Sequence, residues 1–158
     1  MKRVVMGLVG LLLLIPSYAF AQTRPDFSGT WRMDPTRSET AMWGEPIGPV
    51  TVVITQTPTE IKFETTSPSG ALVESFQLDS ASQATNDLAV ARWASDTLLT
   101  NVLRDIRGVA VTIQQTRRLG ADGDEMIVDS VLEVQHGYTL AKAKNYGAGK
   151  DVYVRVRR

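Results

Sequence analysis

The sequence predicts an all-β fold: an antiparallel up-and-down meander of about eight to nine strands closing into a β-barrel, with a short helix or lid after the first strand. Three observations predict it. From Pro49 onward apolar and polar residues alternate with period two, the signature of strands with one buried face. Turn-forming residues interrupt the alternation at strand-length intervals. An open meander would leave two unpaired edges that invite aggregation, a hazard that closure removes. A two-sheet sandwich of the same strands satisfies the alternation equally well and stands as the alternative.

The chain has 158 residues, with 17 Lys+Arg, 17 Asp+Glu, one His and no Cys. Lys2 and Arg3 precede an apolar run from Val4 to Ile15, Pro16 and Ser17 break it, and Ala19-Phe20-Ala21 supplies the small residues a signal peptidase reads. Residues 1–21 are therefore expected to be a signal peptide cut before Gln22. The alternative, an uncleaved anchor, needs roughly 20 apolar residues to span a bilayer, more than this run offers. Cleavage leaves 137 residues, 22–158, enough for one domain with one core, carrying 15 basic against 17 acidic residues for a formal charge of −2. That balance argues against a nucleic-acid partner, which needs a surplus of Lys and Arg on one face. Without Cys the chain forms no disulfide and carries no lipid-modified N-terminal Cys. No later segment is long and apolar enough to cross a bilayer as a helix, so no membrane span is expected after cleavage and a periplasmic or secreted location follows.

The first strand is expected at Gly29 to Met33. Asp34-Pro35 then opens a helical turn, Thr36-Arg37-Ser38-Glu39 matches the spacing of a capping box, and Ala41, Met42 and Trp43 follow before Gly44 to Pro49 ends it. Val50, Val52 and Ile54 share one face of the next strand. Ile61 and Phe63 follow Thr57-Pro58-Thr59, and Leu72, Glu74, Phe76 and Leu78 follow the turn Ser67-Pro68-Ser69-Gly70. After the polar stretch Ser80 to Asp87 come Ala89, Ala91 and Trp93, a tight Ser95-Asp96 turn, and a strand from Leu98 to Asp105. Arg107-Gly108 turns the chain into Val109, Val111 and Ile113, and Asp122-Gly123 is a strong hairpin signal ahead of Met126, Val128, Ser130, Leu132 and Val134. The last strand opens at Lys150, after a glycine-containing loop from Gly137 to Gly149, and sets Val152, Val154 and Val156 against Tyr153, Arg155 and Arg157. Alternation alone leaves open which set faces inward.

The stretch Asp26-Phe27-Ser28-Gly29-Thr30-Trp31-Arg32-Met33 resembles the opening of the calycin superfamily, where lipocalins and fatty-acid-binding proteins carry a Gly-x-Trp on the first strand. It is similar to the start of small secreted bacterial lipocalin-like domains of unassigned activity, in which a Lys/Arg-Ser pair, here Arg37-Ser38, follows. Weaker similarity continues through Phe76-Gln77-Leu78-Asp79, Ala91-Arg92-Trp93 and Val152 to Arg155. The resemblance implies a lipocalin-like barrel in which Gly29 and Trp31 close one end against Arg155 or Arg157, a structural arrangement. Fatty-acid-binding proteins hold a carboxylate with an inward Arg-x-Tyr on the last strand; here the order is reversed, Tyr153-Val154-Arg155.

An eight-stranded barrel is wide enough inside for one small ligand. Its candidate lining is Phe63, Phe76, Trp93, Ile113, Arg117 and Met126, with Trp43 reaching in from the lid. Each apolar member taken singly reads first as packed core, since buried apolar residues mostly pack, and Trp43 reads equally as a staple holding the lid to the rim. Glu74, Arg104, Gln115 and Arg117 break the apolar pattern; they are expected to point outward by a change of register or to lie at exposed strand ends, the alternative being pairing around a polar ligand. His136 stands beside Gly137 without a visible nucleophile and reads as a turn residue. Asp122-Gly123-Asp124-Glu125 lacks the ligand spacing of a calcium loop, zinc has no His or Cys cluster, and no phosphate loop or nucleophile elbow occurs.

No catalytic residue, metal or cofactor is therefore expected. The leading reading is a non-enzymatic exported module whose barrel cavity binds a small apolar or amphipathic ligand. The alternative is a structural or interaction protein with a filled barrel that acts through its outer surface. An enzyme using Asp96, Glu74 or Asp129 with Arg104 or Arg117 ranks third, because scattered acids on strands are ordinary surface residues. The oligomeric state leaves no mark on this pattern.

Overall fold

Residues with strong turn preferences separate the strands, and the computed structural model describes residues 24–39, 49–78, 89–106, 108–135 and 146–157. Nine strands lie in these segments: β1 (Gly29–Met33), β2 (Thr51–Gln56), β3 (Glu60–Ser67), β4 (Gly70–Gln77), β5 (Ala89–Ala94), β6 (Thr97–Ile106), β7 (Val109–Leu119), β8 (Glu125–Gln135) and β9 (Tyr146–Arg155). They form one antiparallel sheet in the order β4-β3-β2-β1-β9-β8-β7-β6-β5. First and last strands pair, with Trp31 opposite Arg155 and Met33 opposite Tyr153, so the meander curls into a nearly closed barrel and not a sandwich. β4 and β5 are the two edges and share no backbone ladder, which leaves a seam in the wall.

Alternation decides which side chains fill the interior. Trp31, Ile61 and Leu98 are fully buried, and Phe63, Phe76 and Met126 nearly so. Each contributes roughly 1.5–3 kcal/mol relative to exposure, so the inward rows carry much of the fold's stability. On β9 the inward set is Asp151, Tyr153 and Arg155, because Asp151 pairs with the buried Val128 and Tyr153 with the buried Met126. Val154 and Val156 lie on the outside, 41% and 38% exposed.

The secondary structure departs from the sequence reading at the start of β9 and after β1. β9 opens at Tyr146, not at Lys150, because Tyr146 to Gly149 continue the ladder against Glu133 to Ser130. Glycines at 147 and 149 gave that stretch the look of a loop; cross-strand pairing overrides their low strand preference. After β1 the capping-box segment does not begin a helix. The Asp34 carboxylate accepts from the Thr36 backbone and hydroxyl at 3.0 and 2.6 Å, giving one turn, and Glu39 then enters an antiparallel bridge with Lys150. Between them, Ser38 Oγ accepts from the Val152 N–H at 2.9 Å, standing in for a backbone carbonyl. Arg37 reaches both Asp34, at 2.7 Å, and Glu125 on β8, at 2.6 Å. The Arg37-Ser38 pair therefore pins the chain leaving β1 to β8 and β9. The rest of the proposed lid, including Trp43, and the expectations for residues 1–21, Ser80 to Asp87 and His136 lie outside the described residues.

The β1–β9 closure rests on Arg155. Its guanidinium carbon sits 4.2 Å from the Trp31 ring centroid, its Nε donates to the Gly123 carbonyl at 3.0 Å, and its Nη1 donates to the Ser28 carbonyl. Trp31 Nε1 donates to the Phe27 carbonyl at 2.8 Å, folding the chain before β1 over this end of the barrel. Arg157 stays in solvent and pairs with Asp124, so of the two arginines only Arg155 meets Trp31. Gly29 makes the approach feasible: its φ is 130°, and a Cβ there would stand 2.8 Å from Arg155 Nη1. Gly29→Ala is expected to lower unfolding stability by about 1–3 kcal/mol, measured by urea unfolding, through backbone strain and displacement of Arg155.

Candidate functional site

Period two places Gln115 and Arg117 on the same inward face of β7, two residues apart. Register then sets their neighbours. Gln115 lies between Thr100 on β6 and Ser130 on β8; Arg117 lies between Leu98 and Val128. The Arg117 guanidinium donates through Nη1 to Thr100 Oγ1 at 2.7 Å and through Nη2 to Gln115 Oε1, and Gln115 Nε2 donates to Ser130 Oγ at 3.2 Å. Across the interior, Arg117 lies over the Phe63 ring of β3, 4.4 Å from its centroid, and Phe63 meets Phe76 edge-on at 5.9 Å. Arg117 is only 7% exposed, and among the described residues no carboxylate lies within ion-pair distance of it. Burial pushes its pKa down to about 10, opposed by the charge of Glu74, so it remains a cation at neutral pH.

Glu74 sits opposite Phe63 in the β3–β4 ladder and forms an ion pair with Arg104 of β6, across the seam between β4 and β5. The expectation that Glu74, Arg104, Gln115 and Arg117 escape outward is thus corrected. All four are tied into polar contacts, and Arg117 and Gln115 are held within the barrel, because their hydrogen-bonding partners come from adjacent inward positions.

One transverse row collects the remaining polar groups. Successive ladders align Trp93, Leu98, Arg117, Val128 and Asp151 across five strands. Trp93 Nε1 and Asp151 Oδ1 are buried without hydrogen-bond partners. The row therefore presents an unused donor, a cation without a carboxylate and an unused acceptor. Burial raises the Asp151 carboxyl from its ordinary 3.8 to about 6 and raises the Tyr153 phenol beside it well above its usual range.

Of the candidate lining, Phe63, Phe76 and Arg117 come together in direct contact. Ile113 is half-buried on the same face of β7, one row further along from Gln115. Met126 is fully buried beside Tyr153 near the Trp31 end, and Trp93 turns to that end as well, its ring 5.9 Å from Phe27 and 5.8 Å from the Arg24 guanidinium. Trp43 lies outside the described residues. Sequence reading missed Thr100 and Asp151 as interior polar groups and left the sense of Tyr153 open. The alternation Asp151-x-Tyr153-x-Arg155 was visible, but its inward sense needed the register with β8. Among the described residues no group of His, Cys, Asp or Glu could hold a metal, and no helix is long and apolar enough to cross a membrane.

The nine antiparallel strands thus form a nearly closed β-barrel with one seam and a polar interior. No protein-family model matches the sequence, and no curated protein matches it. Among solved structures, human cRBP IV superposes with a TM-score of 0.53 at 14% identity, covering 84% of this chain and 99% of its own. A mutant of the fluorescent protein UnaG gives 0.51 at 13% identity over 82% of this chain and 96% of its own. A zebrafish ileal bile acid-binding protein complexed with cholic acid gives 0.48 at 11% identity over 82% and 98%. The likeness is one of fold.

A buried carboxyl that holds its proton more tightly in the folded than the unfolded chain makes the native state bind more protons, so the Asp151 contribution is fully favourable below about 3.8 and declines as pH rises through about 6. Thermal melts from pH 4 to 7 should therefore show Asp151→Asn gaining stability relative to the parent as pH rises across that window. Asp34, held at about 2 by hydrogen bonds from Thr36 and Arg37, acts in the opposite sense and only at lower pH. Parallel curves for parent and variant would contradict the assignment.

Proposed function

We propose that the protein is an exported, non-enzymatic carrier or sensor whose barrel holds one small amphipathic molecule, its anionic or strongly polar head at Arg117 and its apolar part against Phe63 and Phe76. The observation that carries this reading is the buried Arg117 cation, satisfied only by neutral partners and an aromatic face among the described residues. A buried charge without a counter-ion is costly, and a ligand anion would supply what the chain leaves out. The unused Trp93 donor and Asp151 acceptor in the same row favour a polar head over a purely apolar guest. Export rests on the signal-peptide pattern of residues 1–21, which directs domain 22–158 to the periplasm or beyond the cell.

A second reading has its own observation. Arg117 lies on Phe63 across the interior, as a side chain filling the barrel would, and a filled barrel would act through its outer surface. Native mass spectrometry with solvent extraction, on mature protein purified from its own secretory compartment, separates the two. A stoichiometric amphipathic acid is the outcome expected of the carrier; a clean apo mass together with no uptake of 1-anilinonaphthalene-8-sulfonate moves the assignment to the filled barrel. In the carrier, Arg117→Gln is expected to weaken that anionic probe about tenfold or more, read by fluorescence titration.

A further inference from the structure

Besides Arg155, which the Trp31 ring and the Ser28 and Gly123 carbonyls hold at the Trp31 end, Arg104 and Arg117 bring two cations to the interior among the described residues, and Glu74 is the carboxylate already committed to them. Glu74 forms its ion pair with Arg104, both side chains being partly buried at 18% and 31% exposure, while its charge also reaches Arg117. Among the described residues, Arg117 itself has hydrogen bonds only from its guanidinium to a hydroxyl and an amide. The Glu74 carboxylate thus occupies one of the two places an incoming anion would seek. Asp151, a second inward carboxylate, forms no ion pair with either arginine among the described residues.

We propose that Glu74 is a resident counter-ion that sets the charge of the head group the barrel accepts, admitting amphipathic molecules with a single negative charge and rejecting doubly charged heads. This rests on the carrier reading above. With Glu74 in place, Arg104 is neutralised and Arg117 alone answers the ligand, so one negative charge is matched and a second meets like charge at Glu74. Coulomb energy in a partly dehydrated interior is several times its value in water, which lets one fixed carboxylate discriminate. The pair also joins the two sides of the β4/β5 seam. A role confined to tying that seam would alter the binding of every guest alike, whatever its charge.

The test is titration calorimetry at pH 8 with decanol, decanoate and decyl phosphate, which carry zero, one and close to two negative charges. The parent protein is expected to bind decanoate about tenfold or more tighter than decyl phosphate. In Glu74→Gln, Arg104 is freed, and decyl phosphate should gain about tenfold relative to decanoate. Arg104→Gln moves the other way: Glu74 then faces Arg117 without its partner, and decanoate should weaken about fivefold or more relative to decanol. Circular dichroism establishes folding, and if Glu74→Gln fails to fold, Arg104→Gln decides the matter by its opposite sign. Ratios that stay within about twofold in the folded variants would overturn the assignment of Glu74 while leaving the carrier reading intact. A parent protein that binds none of the three compounds would overturn both.

Discussion

The Arg155 guanidinium stacked on Trp31 is the contact on which the rest of the barrel depends. It joins the first strand to the last, and that pairing turns a nine-stranded ribbon with two distant edges into a wall whose edges meet at one seam. The same guanidinium gathers the carbonyls of Ser28 and Gly123, so the segment before β1 and the β7–β8 hairpin are fastened at one point. A cation over an aromatic face is worth about 2 kcal/mol or more once desolvated, and each charged hydrogen bond adds to it. Gly29 is the condition for this arrangement, since any Cβ would occupy the space the guanidinium uses.

Closure creates the interior, and the interior then imposes its own electrostatics. A barrel filled only by Val, Ile and Phe would be the more stable solution, because buried polar groups at best recover their desolvation. This chain instead places Thr100, Gln115, Arg117, Ser130, Asp151 and Tyr153 on inward positions. Arg117, Gln115, Thr100 and Ser130 satisfy one another through hydrogen bonds, while Asp151 Oδ1 and Trp93 Nε1 remain without partners. These groups sit where they cost stability, and the carrier reading gives them a reason to be there.

The seam has a related logic. β4 and β5 share no ladder; the ion pair of Glu74 on β4 with Arg104 on β6 spans the gap, and Phe27 of the segment before β1 packs against Trp93 of β5. Ion pairs and ring contacts can part without breaking a row of backbone hydrogen bonds. Among the described residues, this part of the wall, beside Arg117, is spanned by side chains and not by a ladder.

Much of the architecture was legible in sequence because period-two alternation is a local property. Strands β2, β3, β7 and β8 fall where the runs of Val, Ile, Phe and Leu lie, and the turns fall at Ser-Pro-Ser-Gly, Ser-Asp and Asp-Gly. The Gly29-x-Trp31 opening also pointed to an arginine near the end of the chain. What local pattern cannot carry is register. A one-residue slip reverses every side chain of a strand, so whether Tyr153 and Arg155 or the intervening valines line the barrel was decided only when β9 paired with Met126 on one side and Met33 on the other. The same holds for Arg117: sequence marked it as out of place on an apolar face, and only the juxtaposition of β3, β6 and β7 supplied the ring and the two acceptors that hold it inside. Sequence by itself determined that the chain forms strands and where they turn, because those follow from neighbours along the chain; tertiary structure decided which polar residues share the interior, because that depends on strands far apart in sequence meeting in one register.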